Sequence, residues 1–261
     1  MDRQHPSIDV SYVVPVYNEE ESLTHLLSAL EEAGRELGLP FEAILVDDGS
    51  RDGTWRELCA LRERYPFLHA VRLAKNYGQS AAMAAGIDLA RGQYLITLDG
   101  DLQNDPRDGK ALLGHLQAED LDLASGWRAE RQDEAVTRNF PSWVANRLIR
   151  KLTGVRLHDT GCSLKVYRAD LAKRLPLYGE MHRFLPHLAA MEGARIGELA
   201  VSHHARQFGH SKYNLSRTFK VMVDLVTVVF FQRYLTRPMH AFGREGMGVA
   251  ALGVFIWAVT F

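Results

Sequence analysis

The chain has 261 residues, 46% of them hydrophobic, with 31 basic and 32 acidic side chains. That length can bury a full core in one large domain, and a formal net charge of −1 gives no general case for nucleic acid as a partner. Cys59 and Cys162 lie far apart and form no CxxC, which implies neither a disulfide framework nor a zinc site and fits a reducing, cytoplasmic setting.

The polar N-terminus leads directly into a strand, so no signal peptide is expected. Residues 8–16 read as that strand, with Pro15 at its exit and Tyr17-Asn18-Glu19-Glu20 beyond it. Residues 22–37 carry Leu23, Leu26, Leu27 and Leu30 at helical spacing, and Gly38 and Pro40 stop the helix. A second strand over 41–46 ends in Asp47-Asp48-Gly49-Ser50. A helix over 54–65 closes at Pro66, and a third strand over 68–73 leads into Lys75-Asn76-Tyr77-Gly78-Gln79-Ser80. The next helix, 80–90, has small faces (Ala81, Ala82, Ala84, Ala85, Gly86) suited to close packing on a sheet. An apolar run over 94–98 then stops in Asp99-Gly100-Asp101-Leu102-Gln103-Asn104-Asp105-Pro106. A helix over 106–118 and a fifth strand over 121–125 follow. Strands alternating with helices at this spacing predict an α/β fold, a mostly parallel sheet with helices on both faces.

The second half is less regular. Gly126-Trp127-Arg128 leaves the fifth strand, and a helix over 141–152 has Arg138 before it and Ser142 near its start. Asp159-Thr160-Gly161-Cys162 opens a strand over 163–167, Pro186 is expected to kink or split a helix over 181–191, and a last strand spans 196–203. Between Val201 and Arg244 one acid, Asp224, stands against seven bases, Arg206 and Lys212 among them, which suggests a phosphate-rich partner or an anionic membrane. Residues 215–235 are apolar with a basic edge, the pattern of helices lying in a membrane interface. Residues 246–261 carry no charge. As helix they span about 24 Å, short of a hydrocarbon core of roughly 30 Å, so they read as the start of a transmembrane segment, with a buried core helix as the alternative.

The stretch that organises the chain is Asp99-Gly100-Asp101. Functional residues collect just past the C-terminal ends of buried strands. Two carboxylates at i and i+2 can reach a hard divalent cation that keeps positions open for phosphate oxygens. An EF-hand loop starting at Asp99 is excluded, because Asn104 and Lys110 stand where Gly and Glu are required. A charged turn after a strand is the plain alternative.

Taken with their company, these residues resemble the family 2 glycosyltransferases, in particular the polyisoprenyl-phosphate branch that includes dolichol-phosphate mannose synthase. The resemblance is carried by residues 13–20, Asp47-Asp48-Gly49-Ser50, Asp99-Gly100-Asp101-Leu102-Gln103, Gly126-Trp127-Arg128, Asp159-Thr160-Gly161-Cys162 and residues 206–213, in the family's order. It implies a GT-A catalytic domain over 1–213, amphipathic juxtamembrane helices over 214–242 and an incomplete transmembrane segment over 243–261. It also implies a nucleotide-sugar donor, Mg2+ or Mn2+, and a membrane polyprenyl phosphate as acceptor, at the cytoplasmic face of the inner membrane. Homo-oligomerisation stays open. By the same resemblance Pro15, Tyr17, Glu19, Val46 and Asp48 hold the base and ribose, while Asp99, Asp101 and Gln103, with Gly100 between the acids, hold the metal and diphosphate. Arg206 and Lys212 close over the diphosphate, Arg128, Arg138 and Ser142 grip the acceptor phosphate, and Asp159 orients acceptor or sugar.

The chemistry suits these residue types. A nucleoside diphosphate leaving group gains negative charge as the sugar bond breaks, and preorganised positive charge offsets it. A phosphate nucleophile with a second pKa of about 6 is already ionised and needs no strong base, so positioning dominates and the sugar carbon inverts. Each residue also has a structural alternative: Asp47 and Asp48 as helix caps, Arg128 and Arg138 as loop charges, Lys212 beside Tyr213 as a surface pair. Trp127 reads as packing, and His203, His204 and His210 as structural or interfacial. A processive polysaccharide synthase would want Gln-x-x-Arg-Trp, which the sequence lacks. A non-catalytic membrane binding module and a soluble transferase with another acceptor are the remaining alternatives. The bland composition does not name the sugar; the resemblance favours a UDP-sugar, with GDP-mannose next.

Overall fold

The computed structural model describes residues 8–129, 157–179, 181–205 and 238–260, and the chain divides into two compact units, Met1–Asn214 and Leu215–Phe261. The first unit is built on seven strands: β1 (Val10–Val16), β2 (Phe41–Asp47), β3 (Leu68–Arg72), β4 (Tyr94–Thr97), β5 (Leu123–Trp127), β6 (Lys165–Arg168) and β7 (Ile196–Ala200). They form one sheet in the order β3-β2-β1-β4-β6-β5-β7. Neighbouring strands run parallel except at β6, which is antiparallel to both β4 and β5. One reversed strand in a parallel sheet brings the segment before β6 to the edge where the other strands end.

The described helices of this unit are α1 (Leu23–Leu37), α2 (Thr54–Arg64), α3 (Gln79–Leu89), α4 (Asp108–Ala118), α5 (Ala169–Arg174) and α6 (Leu185–Met191). α1 buries Leu23, Leu26, Leu27, Leu30 and Ala33, a stripe at helical spacing. It ends at Gly38, whose φ of 72° is left-handed and whose N–H closes on the Gly34 carbonyl. α3 lies close against the sheet: a Cβ on Gly86 would fall 2.5 Å from Val13 Cγ1 and 3.2 Å from Val46 Cγ2. The core beneath β1, β2 and β4 is fully buried Val, Leu, Ile and Tyr, each contributing about 1.5–3 kcal/mol of transfer energy.

Several boundaries differ from the sequence expectation. The fifth strand ends at Trp127 rather than 125, because it pairs with β7 through Trp127↔Ala200. The helix over 181–191 is split, as Pro186 led one to expect, into a 3-10 turn, Met181–Phe184, and α6, with Pro186 in the first turn where its missing N–H costs no helical bond. α5 was not expected; its six residues carry too short a pattern to register. The expected helix over 141–152, the run 206–213 and the interfacial helices over 215–235 lie outside the described residues.

In the second unit, α7 (Pro238–Thr260) has 23 residues. Met247, Val249, Leu252, Val254, Phe255, Ile256, Trp257 and Val259 are all exposed on it. No helix among the described residues is long and apolar enough to cross a membrane. The segment expected to begin a transmembrane span at 243 carries Arg244, Glu245 and three glycines in its first part, and its apolar remainder alone is shorter than a hydrocarbon core.

Candidate active site

The C-terminal edge of the sheet gathers the acid-bearing turns that follow β2 and β4. Pro15 and Val46 are register partners on β1 and β2, both buried, so the two chains leave the sheet side by side. Beyond them the loops are stapled together. Asn18, at φ 54°, donates its N–H to Ser50 Oγ at 2.9 Å and accepts the Arg51 N–H on Oδ1 at 2.9 Å; Glu19 N–H donates to Thr54 Oγ1 at 2.9 Å. Tyr17 and Glu19 thus sit on a fixed shelf beside Asp48. Asp48 itself accepts the N–H groups of Tyr77 and Gly78 at 2.7 and 2.9 Å, which holds the loop before α3 against the shelf. Gly49 permits this approach, since its φ is 67° and a Cβ there would lie 2.4 Å from the Lys75 carbonyl carbon. Asp47, completely buried, accepts Ser50 N–H at 2.9 Å and faces Arg72 at 3.3 Å.

After β4 the chain turns through Asp99, Gly100, Asp101, Leu102 and Gln103. Leu102 has φ 58°, a left-handed conformation that is uncommon for a branched side chain and is found where a loop is held to a task. The turn folds Gln103 N–H back onto Asp101 Oδ1 at 3.2 Å. Gln79, first residue of α3, donates from Nε2 to Asp99 Oδ1 at 2.6 Å, and Asp99 N–H donates to Ser163 Oγ at 3.3 Å. Burial and the neighbouring Asp101 charge push the Asp99 carboxyl above its ordinary range; Ser163, Lys165 and Gln79 oppose this. A cation bound beside Asp99 would favour its charged form and offset that repulsion.

Among the described residues no three His, Cys, Asp or Glu side chains come together to hold a metal. The two carboxylates nevertheless fit Mg2+ or Mn2+ of the open kind, which takes one or two carboxylates and completes its shell with water and phosphate oxygens.

Across β6 the arrangement changes. Arg128, just past β5, donates from Nε and Nη2 to Asp159 Oδ2 and Oδ1 at 2.7 and 3.1 Å, a planar fork with both side chains largely buried. Asp159 also accepts Gly161 N–H at 3.1 Å, and its own N–H donates to Glu198 of β7 at 2.9 Å. Trp127 stacks on His158 with ring centroids 4.6 Å apart, so it packs as expected. The expectation that Arg128 grips an acceptor phosphate and the assignment of Asp159 meet in one ion pair. Arg138, Ser142, Arg206 and Lys212 lie outside the described residues. His204, two positions before Arg206, donates its N–H to the Gln103 carbonyl at 2.8 Å, while His203 bridges Asn104; both histidines thus fasten the acidic loop.

Two residues escaped the sequence reading. Gln79 closed a polar run that had no assigned role. Lys165, only 2% exposed, opens β6 opposite Thr97, and its Nζ donates to the Cys162 carbonyl. Burial lowers its pKa, against the anionic pull of Cys162, Asp159 and Asp99. A buried ammonium needs such partners, so Lys165 sits electrostatically between the acid pair and the arginine fork. A lysine inside a short apolar strand was the signal available.

Open, mostly parallel α/β sheets bind their ligands at the edge where the strands end, and here that edge gathers an acid pair and an arginine–aspartate fork. Residues 11–175 match the family model of glycosyl transferase family 2, and the chain belongs to that family; it is a glycosyltransferase. It is 49% identical over 260 residues to dodecaprenyl-phosphate galacturonate synthase of Rhizobium johnstonii, spanning 96% of this chain and 75% of that one. It is 41% identical over 258 residues to undecaprenyl-phosphate 4-deoxy-4-formamido-L-arabinose transferase of Pseudomonas aeruginosa, spanning 98% and 74%. Among solved structures, S. aureus TarS with UDP-GlcNAc superposes with a TM-score of 0.60 at 20% identity, covering 85% of this chain and 67% of that one. Mannosyl-3-phosphoglycerate synthase from Rubrobacter xylanophilus does so at 0.64 and 18%, covering 84% and 73%. At those identities the likeness is one of fold, and the fold is GT-A-like.

Proposed function

We propose that the protein transfers a sugar from a nucleotide-sugar, a UDP-sugar in the first place, to a membrane polyprenyl phosphate with inversion at the sugar carbon. The observation that carries this reading is the pair Asp99 and Asp101 at the sheet edge, beside the Arg128–Asp159 fork. The names of the two relatives supply the acceptor class: both act with a polyprenyl phosphate, and one carries galacturonate. GDP-mannose is the second donor candidate.

The shelf formed by Pro15, Tyr17, Glu19, Val46 and Asp48 takes the nucleoside, and Asp99, Asp101 and Gln103 would hold Mg2+ or Mn2+. Bound there, the ion would supply positive charge that offsets the charge of the departing phosphate. Arg128, with Arg138 and Ser142, orients the acceptor, whose phosphate oxygen forms the new bond to C1. The bond from C1 to the diphosphate breaks, and the nucleoside diphosphate leaves with the electron pair; no proton has to move. Arg206 and Lys212 add charge to the leaving group. The enzyme works at the cytoplasmic face of a membrane in this reading, and the exposed apolar end of α7 supports it.

The test is to incubate membranes containing the protein with a panel of labelled nucleotide sugars and polyprenyl phosphate. Label passing into extractable lipid with wild type and not with Asp101→Asn supports the reading; no transfer from any nucleotide sugar in the presence of Mg2+ and Mn2+ ends it.

A further inference from the structure

We propose that Ser163 is the positioning residue of the cation site: its single hydroxyl clasps both ends of the turn 99–104 and so sets how tightly that turn holds Mg2+ or Mn2+. The inference rests on the cation reading of the acid pair given above and names the group that keeps the pair in shape.

The turn needs outside support. Leu102 keeps a φ of 58° within it, and a leucine stays left-handed only where its surroundings fix it. Gln103 N–H folds back on Asp101 Oδ1, which shapes the middle of the turn and leaves its ends to other partners. Those ends are Asp99 and Asn104, and both come to one oxygen. Asp99 N–H donates to Ser163 Oγ at 3.3 Å, and Asn104 Nδ2 donates to the same atom at 2.9 Å. Asn104 is 4% exposed, and its Oδ1 accepts from Cys162 Sγ at 3.6 Å, so both ends of its amide are tied to neighbouring residues of one segment. His203 and His204 fasten the far end of the turn through Asn104 and the Gln103 carbonyl; Ser163 closes it.

Ser163 is itself held. Its carbonyl accepts Thr97 Oγ1 at 3.1 Å, and Lys165 Nζ donates to the neighbouring Cys162 carbonyl. The hydroxyl also has a second task. A serine oxygen carries two lone pairs and one proton. The two N–H donors occupy the lone pairs, which leaves the proton for an acceptor. That acceptor is the Asp99 carboxyl, whose charged form the bond from Ser163 favours against the effect of burial. One side chain thus fixes the backbone at both ends and supports the anion at the first acid. Mg2+ demands near-ideal geometry from its few carboxylates, so slack in the turn is read as lost affinity.

The experiment measures Mn2+ binding to the full chain with UDP present, from the spin-resonance signal of the free ion, together with the Mn2+ dependence of sugar transfer. Ser163→Ala is expected to weaken Mn2+ binding by roughly 10- to 100-fold, and to raise the Mn2+ needed for half-maximal transfer by the same factor. At saturating Mn2+ its rate returns to near the wild-type value, because the defect lies in holding the ion. Ser163→Thr, which keeps the hydroxyl, recovers most of the affinity. Glu42→Gln, at the opposite end of the strands, lowers stability with Mn2+ affinity unchanged, and so separates a loosened fold from a loosened turn. Unchanged Mn2+ affinity in Ser163→Ala overturns the proposal, whatever happens to its melting temperature. An equal loss in Glu42→Gln also overturns it, because general loosening then explains the effect. If wild type binds no Mn2+ beside UDP, this inference and the cation site fall together. Mn2+ binding that Ser163→Ala weakens, with no sugar transferred by wild type, ends the proposed function and leaves the clasp standing.

Discussion

The two sides of the sheet edge solve opposite electrostatic problems. At the end of β4, Asp99 and Asp101 are two acids crowded together, supported by neutral donors from Gln79 and the Gln103 backbone, while Ser163 Oγ accepts the Asp99 N–H. At the end of β5, Arg128 and Asp159 are opposite charges already joined in a buried fork. The first arrangement stores repulsion that a bound cation relieves. The second is electrically closed, so under the proposed acceptor role an incoming phosphate has to compete with Asp159 for the guanidinium. The contrast teaches that one sheet edge holds like charges that repel beside opposite charges that are paired, with opposite consequences for stability.

Removing one member from each side sharpens that contrast, and the fork carries the larger effect. Arg128→Met strands a buried carboxylate, and a loss of about 3–5 kcal/mol in unfolding free energy is expected by chemical denaturation. A change below 1 kcal/mol breaks the comparison. Asp101→Asn acts on chemistry instead. Transfer activity falls by about 2.7–4 kcal/mol in barrier terms, a factor of roughly 100 to 1,000, in a labelled-sugar assay. The same variant should unfold at a temperature no lower than wild type, since it removes repulsion from Asp99.

A control lies at the opposite end of the strands. Glu42, almost fully buried on β2, accepts Ser11 Oγ at 2.7 Å and Arg91 Nε and Nη2 at 2.9 and 2.6 Å. Burial would raise its pKa, but the hydrogen bonds from Arg91 and Ser11 outweigh it and leave the carboxyl lowered. A lowered acid stabilises the fold above its unfolded pKa and loses that contribution as pH falls through the folded value. Glu42→Gln should therefore cost about 1–3 kcal/mol at neutral pH and much less in acid, with transfer activity intact.

The smallest expected effect tests the sign at Asp99. Its raised pKa means the folded state holds a proton longer than the unfolded chain does, so stability falls as pH rises between the two values. Mg2+ or Mn2+ should recover that loss. The metal-dependent rise in melting temperature should be larger at pH 7.5 than at pH 5 in wild type, and should shrink in Asp101→Asn. Equal rises at both pH values would contradict the placement of the cation at this pair.

Much of the first half was legible from local pattern. Strand and helix alternation, the Gly38 stop, the small face of α3 and the acids after β2 and β4 all follow from short-range spacing, because burial on a sheet imposes period two and on a helix period 3.6. The second half was harder. β6 is four residues long, and no local pattern states that it runs against its neighbours. Nor does spacing say that Arg128 and Asp159, assigned separate tasks, hold one another.

The amino-acid sequence alone determined the α/β class, the two acids at the end of the fourth strand and the family, because each is written in contiguous residues. Tertiary structure alone decided which strand ends meet. Reversal of β6 carries Asp159, Ser163 and Lys165 to the edge where β4 and β5 finish, and there Lys165 is buried between the acids and the arginine. Charges that are far apart along the chain acquire their energies only when folding removes the water between them.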